Sequence, residues 1–143
     1  VDFLHEARAT ERLKKAFEET EGVEFPAVYW EDTTRHILAI EEIKGTLIAK
    51  LDPEDLSRSE RESLVKHGTD AVFRQCLEIG FFHADPHPGN LVAQEGGVIC
   101  FLDCGMVGQL EPKAADDLAI LVHGVIEQDL DRFIKVTIQI AGA

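Results

Sequence analysis

The stretch FHADPHPGNLVAQEGGVICFLDCG, Phe82 to Gly105, combines aspartates, histidines and an asparagine with several glycines. Pro86 and Pro88 prevent its first part from forming a helix, because proline lacks a backbone donor and restricts the residue before it. Further along, NLVA and VICFL are short apolar runs, and the paired glycines of the intervening QEGG suit a tight turn. The stretch therefore predicts a loop rich in reactive side chains that leads into a β-hairpin.

Outside this stretch the sequence predicts mainly helices. Apolar residues recur at helical spacing over residues 3–19, where Asp2 can cap the helix, and again over residues 59–79. Pro112 is well placed as the first residue of another helix, and a last helix is expected over 129–140. Between the first two helices, VEFPAVYW and HILAIEEI are β-rich runs around the turn-prone EDTTR, which predicts a second hairpin. The fold class is therefore α+β.

The composition indicates one globular domain. A chain of 143 residues with 45% hydrophobic residues can bury an ordinary core, and it contains no internal repeat or linker-like segment. The formal net charge is −13 and is spread along the chain. Nucleic acids and anionic membrane surfaces need clustered lysine and arginine, so neither is expected as a direct partner.

Cysteine usage and hydropathy favour a cytoplasmic protein. The chain has three cysteines, an odd number, and no CxxC pair, which is typical of a reducing compartment. No apolar run approaches the roughly 18 residues that a membrane span requires. The first residues, VDFLHEARATERLKK, lack the apolar centre of a signal peptide.

A zinc site is the simplest metal hypothesis, and the sequence argues against it. His83 and His87 are four residues apart, as are Cys100 and Cys104, and that spacing brings ligands together on a helix. The prolines around the histidine pair exclude a helix there. We therefore expect both cysteines to be small buried hydrophobic residues.

Oxygen ligands offer a better hypothesis. Two turns can bring Asp85, Asn90 and Asp103 to one cleft, and such side chains suit Mg²⁺, which prefers a few protein ligands together with water and phosphate oxygens. Phosphoryl transfer uses a set of this kind: one carboxylate faces the attacking hydroxyl, while an amide and a second carboxylate hold metal. Because the chain is acidic, a nucleotide triphosphate would need the cation between itself and the protein.

These residues resemble a known family. The pattern D-x4-N at Asp85 and Asn90, followed by D-x-G at Asp103 and Gly105, is that of the protein-kinase catalytic loop and metal-binding DFG segment. The spellings HADPHPGN and LDCGMVG resemble the UbiB family of atypical kinase-like proteins, also called aarF-domain kinases, which are associated with ubiquinone biosynthesis. VDFLHEARATERLKKAF, FPAVYW and ILAIEEIKG are similar to segments of the same family.

The resemblance implies a partial protein-kinase-like fold. Residues 1–45 would form the small-lobe helix, strands and hinge, and residues 46–143 a mostly helical large lobe with the catalytic β-hairpin. The nucleotide loop, the phosphate-binding lysine and the KxGQ segment of the family would precede Val1. We therefore expect this chain alone to bind Mg-ATP weakly or not at all, and not to turn over.

The resemblance also implies site roles. Asp85 matches the catalytic aspartate, and Asn90 and Asp103 match the residues that hold Mg²⁺ and the ATP phosphates. Glu6 matches the small-lobe glutamate that supports the phosphate-binding lysine. Glu41 lies at the hinge, where backbone groups over 41–43 would meet adenine.

Four further residues near these positions carry expectations of their own. Asp2 falls on the aspartate of the family's ExD motif, although a helix cap explains it equally well. His83 is expected to brace the loop through a backbone hydrogen bond, and His87 receives no role. Cys104 stands where the family usually has phenylalanine, so the neighbouring aspartate should be held less tightly.

The function that the resemblance implies is a Mg-dependent ATPase or a small-molecule or lipid phosphotransferase that supports quinone-lipid biosynthesis. The segment between Gly105 and Pro112 is short and lacks an APE motif, which disfavours a peptide substrate. Expected partners are the nucleotide, a quinone-lipid precursor or biosynthetic enzymes, with membrane contact left to apolar surface or other segments. Two alternatives stay open: a pseudokinase that acts as a scaffold or nucleotide sensor, and a phosphotransferase like the aminoglycoside and choline kinases.

Overall fold

The structure is a computed structural model that describes residues 2–127 and 134–136. It has the mixed α+β composition that the sequence predicted. The helices are α1 (Phe3–Ala16), α2 (Arg58–Phe73) and α3 (Pro112–Ile126), and a π-helical turn, Arg74–Ile79, extends α2. The strands are β1 (Val23–Glu24), β2 (Thr46–Leu47), β3 (Phe81–His83), β4 (Leu91–Gln94), β5 (Val98–Phe101) and β6 (Val107–Gln109).

The first helix begins where its cap predicts. Asp2 Oδ1 accepts a hydrogen bond from the Leu4 backbone N–H at 3.1 Å, which satisfies one of the free donors at the start of a helix. Leu13 and Phe17 are almost completely buried, so the apolar face of α1 forms part of the core. The helix ends at Ala16, three residues before its predicted end.

The predicted hairpin over 23–43 is only partly correct. Its two runs meet antiparallel at a single bridge, Val28 to Ile40, with the Tyr29 N–H donating to the Ala39 carbonyl at 2.9 Å. The residues at its start form β1, which pairs in parallel with β5 instead. Pro26, two residues after the end of β1, has no backbone N–H to donate, so a longer ladder cannot continue through it.

The second helix is fixed at its start by a capping box between Ser57 and Glu60. It continues into the π-helical turn, and Gly80 ends the whole segment in a left-handed conformation, with φ of 64°. The end predicted at residue 79 is therefore correct. The turn delivers the chain to β3.

The hairpin predicted in the opening stretch is confirmed. Strands β4 and β5 pair antiparallel, with Leu91 opposite Phe101 and Val92 opposite Cys100. Gly96 and Gly97, the paired glycines between the runs, both have φ of 75°, a conformation that glycine adopts without a steric penalty. The hairpin lies at the centre of a four-stranded sheet with the order β1-β5-β4-β2, and β3 and β6 form a separate antiparallel pair.

The core lies between α1, α2 and the β4–β5 hairpin. The Phe25 and Phe101 rings stack at 5.2 Å between centroids, and Phe17 packs on Phe25 at 5.5 Å. Cys100 and Cys104 are fully buried, which confirms the expectation for both thiols. Strand β5 therefore ends in the core at Phe101, two residues before Asp103.

The C-terminal part is described to Glu127. Helix α3 begins at Pro112, as predicted. The helix predicted over 129–140 lies outside the described residues except for 134–136, which are helical. Within the described ranges, no helix has the length and apolar character that crossing a membrane would require.

Candidate active site

His83 anchors the loop that follows β3. It is 5% exposed, and its Nε2 lies 2.9 Å from the Leu102 carbonyl oxygen. The Asp85 backbone N–H donates to His83 Nδ1 at 3.1 Å. Because Nδ1 accepts, the ring proton must be on Nε2, which then donates to Leu102. The expected bracing role of this histidine is confirmed, and it joins the loop to the end of β5.

Asn90 makes the second link between the loop and the hairpin. Its Nδ2 donates to the Asp85 carbonyl oxygen at 3.2 Å, while its own carbonyl accepts from the Leu102 N–H at 2.8 Å. Asp103 is the residue after Leu102. Hydrogen bonds therefore join Asp85 to Asn90, and Asn90 to the residue before Asp103, and neither bond uses the side-chain oxygen of Asn90.

Asp103 has an unusual backbone conformation. Its φ is 45°, the only positive value for a non-glycine residue in the described part of the chain. Its Oδ1 accepts a hydrogen bond from the Gly105 N–H at 3.2 Å, and short local bonds of this kind help aspartate to adopt this region. Backbone conformations that are rarely populated cluster at functional sites, which makes Asp103 a strong candidate.

Glu6 comes to the same place from α1. Burial together with the charge of Asp103 raises the pKa of Glu6. A Cβ atom on Gly105 would lie 3.0 Å from Glu6 Oε2 and 3.1 Å from Asp103 Oδ1. The two carboxyl groups therefore lie together beside Gly105, and a larger residue at this position would require both side chains to shift.

His87 lies beside the proposed catalytic carboxylate. Its Nε2 is 3.7 Å from Asp85 Oδ2, and both side chains are about half exposed. The Gly89 N–H donates to His87 Nδ1 at 2.9 Å, which fixes the ring. Sequence reasoning gave this histidine no role, although its position two residues after Asp85 was the available signal.

Glu41 belongs to a different set of contacts. Its Oε2 accepts from the Ala27 N–H at 3.0 Å and lies 3.8 Å from Lys14 Nζ. The side chain lines a cavity of about 730 Å³ between the end of α1 and β1. These contacts do not include Asp103, and the Glu41 N–H already donates to the Ala27 carbonyl at 2.8 Å. The contact with adenine stays a prediction.

Cys104 closes the site against the core. Burial raises the pKa of its thiol to about 11, although a hydrogen bond with the Thr10 side chain acts in the opposite direction. Thr10 Oγ1 also donates to the Glu6 carbonyl at 2.9 Å. The thiol therefore lies close to Glu6 and Asp103. The expectation that Asp103 is held loosely stays a prediction.

Sequence reasoning missed one buried polar residue. Gln75, in the π-helical turn, is 1% exposed, and its Oε1 accepts a hydrogen bond from the His83 N–H at 2.8 Å. The sequence carries no clear signal for it, because Arg74 and Glu78 are charged residues of the same turn and a glutamine between them does not stand out.

The donor chemistry of the site fits magnesium. Among the described residues there is no group of three or more His, Cys, Asp or Glu side chains that could hold a metal ion. Asn90 and Asp103 instead supply an amide oxygen and a carboxylate oxygen, the hard ligands that Mg²⁺ combines with water and phosphate oxygens. The Glu6 carboxyl group next to Asp103 adds negative charge that a cation would balance.

Comparisons with known proteins agree with the geometry. The family model of the ABC1 atypical kinase-like domain matches residues 1–137. The chain is 35% identical over 141 residues to the protein ACTIVITY OF BC1 COMPLEX KINASE 8, chloroplastic, of Arabidopsis thaliana, covering 97% of this chain and 18% of that protein. It is 37% identical over 136 residues to the Synechocystis protein sll1770, covering 94% and 23%. The chain thus spans about a fifth of the length of these relatives.

A solved structure shows the same fold. The complex of Rv3197 with erythromycin, from Mycobacterium tuberculosis, superposes with a TM-score of 0.74 at 21% identity, covering 94% of this chain and 34% of that one. The family match extends over both the predicted small-lobe helix and the hairpin that carries Asp103. The chain therefore belongs to the ABC1 atypical kinase-like family, which is the UbiB family that its catalytic-loop sequence resembles.

Proposed function

We propose that the chain contributes the Mg-dependent nucleotide site of an enzyme that transfers the terminal phosphoryl group of ATP to water or to a small-molecule or lipid hydroxyl. One observation carries this proposal: Asn90 bonds to the Asp85 carbonyl on one side and to the Leu102 N–H on the other. These two bonds hold the backbone of Asp85 and the segment before Asp103 against Asn90, so the proposed base and the proposed metal ligands would lie near one another, as phosphoryl transfer requires.

Asn90 and Asp103 would hold the cation. When bound, Mg²⁺ supplies positive charge that neutralises the phosphate oxygens. The left-handed backbone of Asp103 and the bond from the Gly105 N–H orient its carboxylate before any ligand arrives. Orientation in advance lowers the entropic cost of assembling the site.

Asp85 would accept the proton of the attacking hydroxyl or water. Its side chain is about half exposed, so an acceptor can reach it, while its backbone N–H is fixed on His83. A carboxylate that is solvent-exposed, on a backbone that is held in place, is suited to remove a proton from a bound acceptor.

The acceptor that we favour is a small molecule or a lipid in quinone-lipid biosynthesis. Strand β6 occupies the segment after the site and pairs with β3, with His83 opposite Val107. Few residues then remain before Pro112 to form the peptide-binding segment that protein kinases have there. The link to quinone lipids comes from the family resemblance.

The test is a titration with a paramagnetic metal. Mn²⁺ commonly replaces Mg²⁺ in phosphoryl-transfer sites and broadens NMR signals from nearby amides. The titration uses a longer protein that also carries the family's nucleotide loop and phosphate-binding lysine, because this chain alone is expected to bind Mg-ATP weakly. With ATP present, broadening should centre on Asn90 and Asp103 and should disappear in the Asp103→Asn variant. Diffuse broadening over the acidic surface, unchanged in that variant, would overturn the proposed site.

A second candidate is a scaffold without catalysis. The observation that favours it is that the Glu6 and Asp103 carboxyl groups lie together beside Gly105, which gives the proposed metal-binding aspartate a neighbour within the protein. A scaffold should bind its partner enzyme equally well with Asp103→Asn, whereas an enzyme should lose metal-dependent nucleotide binding.

A further inference from the structure

We infer that Gln75 is a positioning residue that fixes the proposed catalytic loop through His83. The side-chain oxygen of Gln75 accepts the His83 N–H at 2.8 Å, at the point where β3 leads into the loop. The catalytic part of this inference rests on the proposed function, whereas the structural part does not.

The orientation of the Gln75 amide follows from its partner. A backbone N–H can only donate, so the atom that faces His83 must be the amide oxygen. The amide nitrogen then faces away, and in the described part of the chain it is buried without a hydrogen-bond partner. A buried donor without a partner destabilises a fold, so such groups in native proteins call for an explanation other than stability.

The burial of neighbouring residues supports the same conclusion. Phe73, the last residue of α2, is 43% exposed, whereas Gln75 two residues later is 1% exposed. Folding alone would favour the opposite arrangement, with the ring inside and the amide outside. The π-helical turn over 74–79 begins between these two residues, and π-turns within helices occur often at functional sites.

His83 passes the constraint to both parts of the site. Its ring lies between the Asp85 N–H, which donates to Nδ1, and the Leu102 carbonyl, which accepts from Nε2. The position of the His83 backbone therefore determines where its ring lies, and the ring in turn fixes the backbone at Asp85 and at Leu102. Gln75 is buried, and it holds that backbone by accepting the hydrogen bond from the His83 N–H.

Two variants separate positioning from packing. Gln75→Met keeps the length of the side chain and removes both amide groups, whereas Gln75→Glu keeps an oxygen at the same reach. Amide hydrogen exchange, measured by NMR on the 143-residue chain, reports local opening at each residue. In Gln75→Met we expect exchange at His83 and Asp85 to be about tenfold faster or more. Amides of the β4–β5 hairpin should exchange at the wild-type rate, and Gln75→Glu should retain slow exchange at His83 and Asp85.

Two results would overturn the inference. Unchanged exchange at Asp85 in Gln75→Met would mean that the loop does not depend on this bond. Equal acceleration at all amides would mean that Gln75 serves global stability only.

In a preparation with turnover, Gln75→Met should lower kcat by about tenfold or more, with KM for Mg-ATP changed by less than about threefold, because the bond that it removes fixes the start of the loop that carries Asp85. Equal kcat in wild type and Gln75→Met would overturn the catalytic part. If the wild-type protein has no turnover, the proposed function fails, and the exchange data still decide the structural role of Gln75.

Discussion

The carboxyl groups of Glu6, on the first turn of α1, and Asp103, after β5, lie together beside Gly105. Burial and the neighbouring charge of Asp103 raise the pKa of Glu6, and a cation bound between the two groups would offset their repulsion. The pair thus brings the start of α1 next to the proposed metal site. The charge state of Glu6 should therefore have a measurable effect on that site.

Gly105→Ala should disturb this contact. The added Cβ would lie about 3 Å from both carboxyl groups, closer than ordinary van der Waals contact, and would push them apart. Gly105 is exposed, so the two side chains can shift away from the added methyl group, and we expect a loss of roughly 0.5 kcal/mol or less in unfolding free energy, with weaker binding of Mg-nucleotide. Chemical denaturation and calorimetry measure the two effects.

Gly68→Ala is the matched control for that change. It lies inside α2, where its Cβ would meet the flexible end of Ile99 at 3.3 Å. Because alanine favours helix over glycine by roughly 0.5–1 kcal/mol, stability should be unchanged or raised and nucleotide binding unaffected. A loss of binding in Gly68→Ala would show that the assay reports general instability.

In the longer protein that carries the family's nucleotide loop and phosphate-binding lysine, Asp103→Asn and Asp85→Asn should separate binding from chemistry. Asparagine tolerates a positive φ, so Asp103→Asn should fold while weakening Mg-nucleotide binding by about 10- to 100-fold through loss of a charged ligand. Asp85→Asn should bind nucleotide normally and lower kcat by about 10²- to 10⁴-fold through loss of the base. The same loss of binding in both variants would contradict the separate roles.

Glu6→Gln should change how stability varies with pH. Because the folded-state pKa of Glu6 is raised above its ordinary 4.5, its contribution to stability is complete below pH 4.5 and is lost as pH rises through the folded-state pKa. The glutamine side chain cannot titrate, so the stability of the variant relative to wild type should increase with pH over that interval. Denaturation midpoints for both proteins from about pH 4 to 8 test this, and a constant difference would contradict it.

The buried thiols should make the protein sensitive to alkali. Burial raises the pKa of Cys100 to about 12 and that of Cys104 to about 11, from an ordinary 9.0. Their contribution to stability is complete below about pH 9 and is lost above it, by roughly 2–3 kcal/mol for each thiol at about pH 11. A protein with Cys100→Ala and Cys104→Ala should lose less stability between about pH 8 and 10.5 than wild type. Equal losses would assign the alkaline transition to other groups.

Local signals made much of the fold predictable. Asp2 marked the start of α1, Pro112 marked the start of α3, and the glycines at 96 and 97 marked the turn of the β4–β5 hairpin. In each case the residue caps a helix, begins a helix or permits a tight turn, and such a local role can be predicted from the neighbouring sequence alone.

Contacts between distant segments were less predictable. The sequence indicated that Asn90 and Asp103 act together, because their spacing is a motif, but the closeness of the Glu6 and Asp103 carboxyl groups and the burial of Gln75 have no periodic signal. The parallel pairing of β1 with β5 was missed for the same reason, since a two-residue strand has too few residues to show alternation.

That parallel pairing bears on how the chain could be divided. The sheet takes β1 from the predicted small-lobe segment and its other three strands from residues beyond 45. A cut after Gly45 would therefore remove an outer strand from the sheet that supports Asp103. The two pieces, expressed separately, should recombine as complementary fragments, and the intact chain should melt in a single cooperative transition.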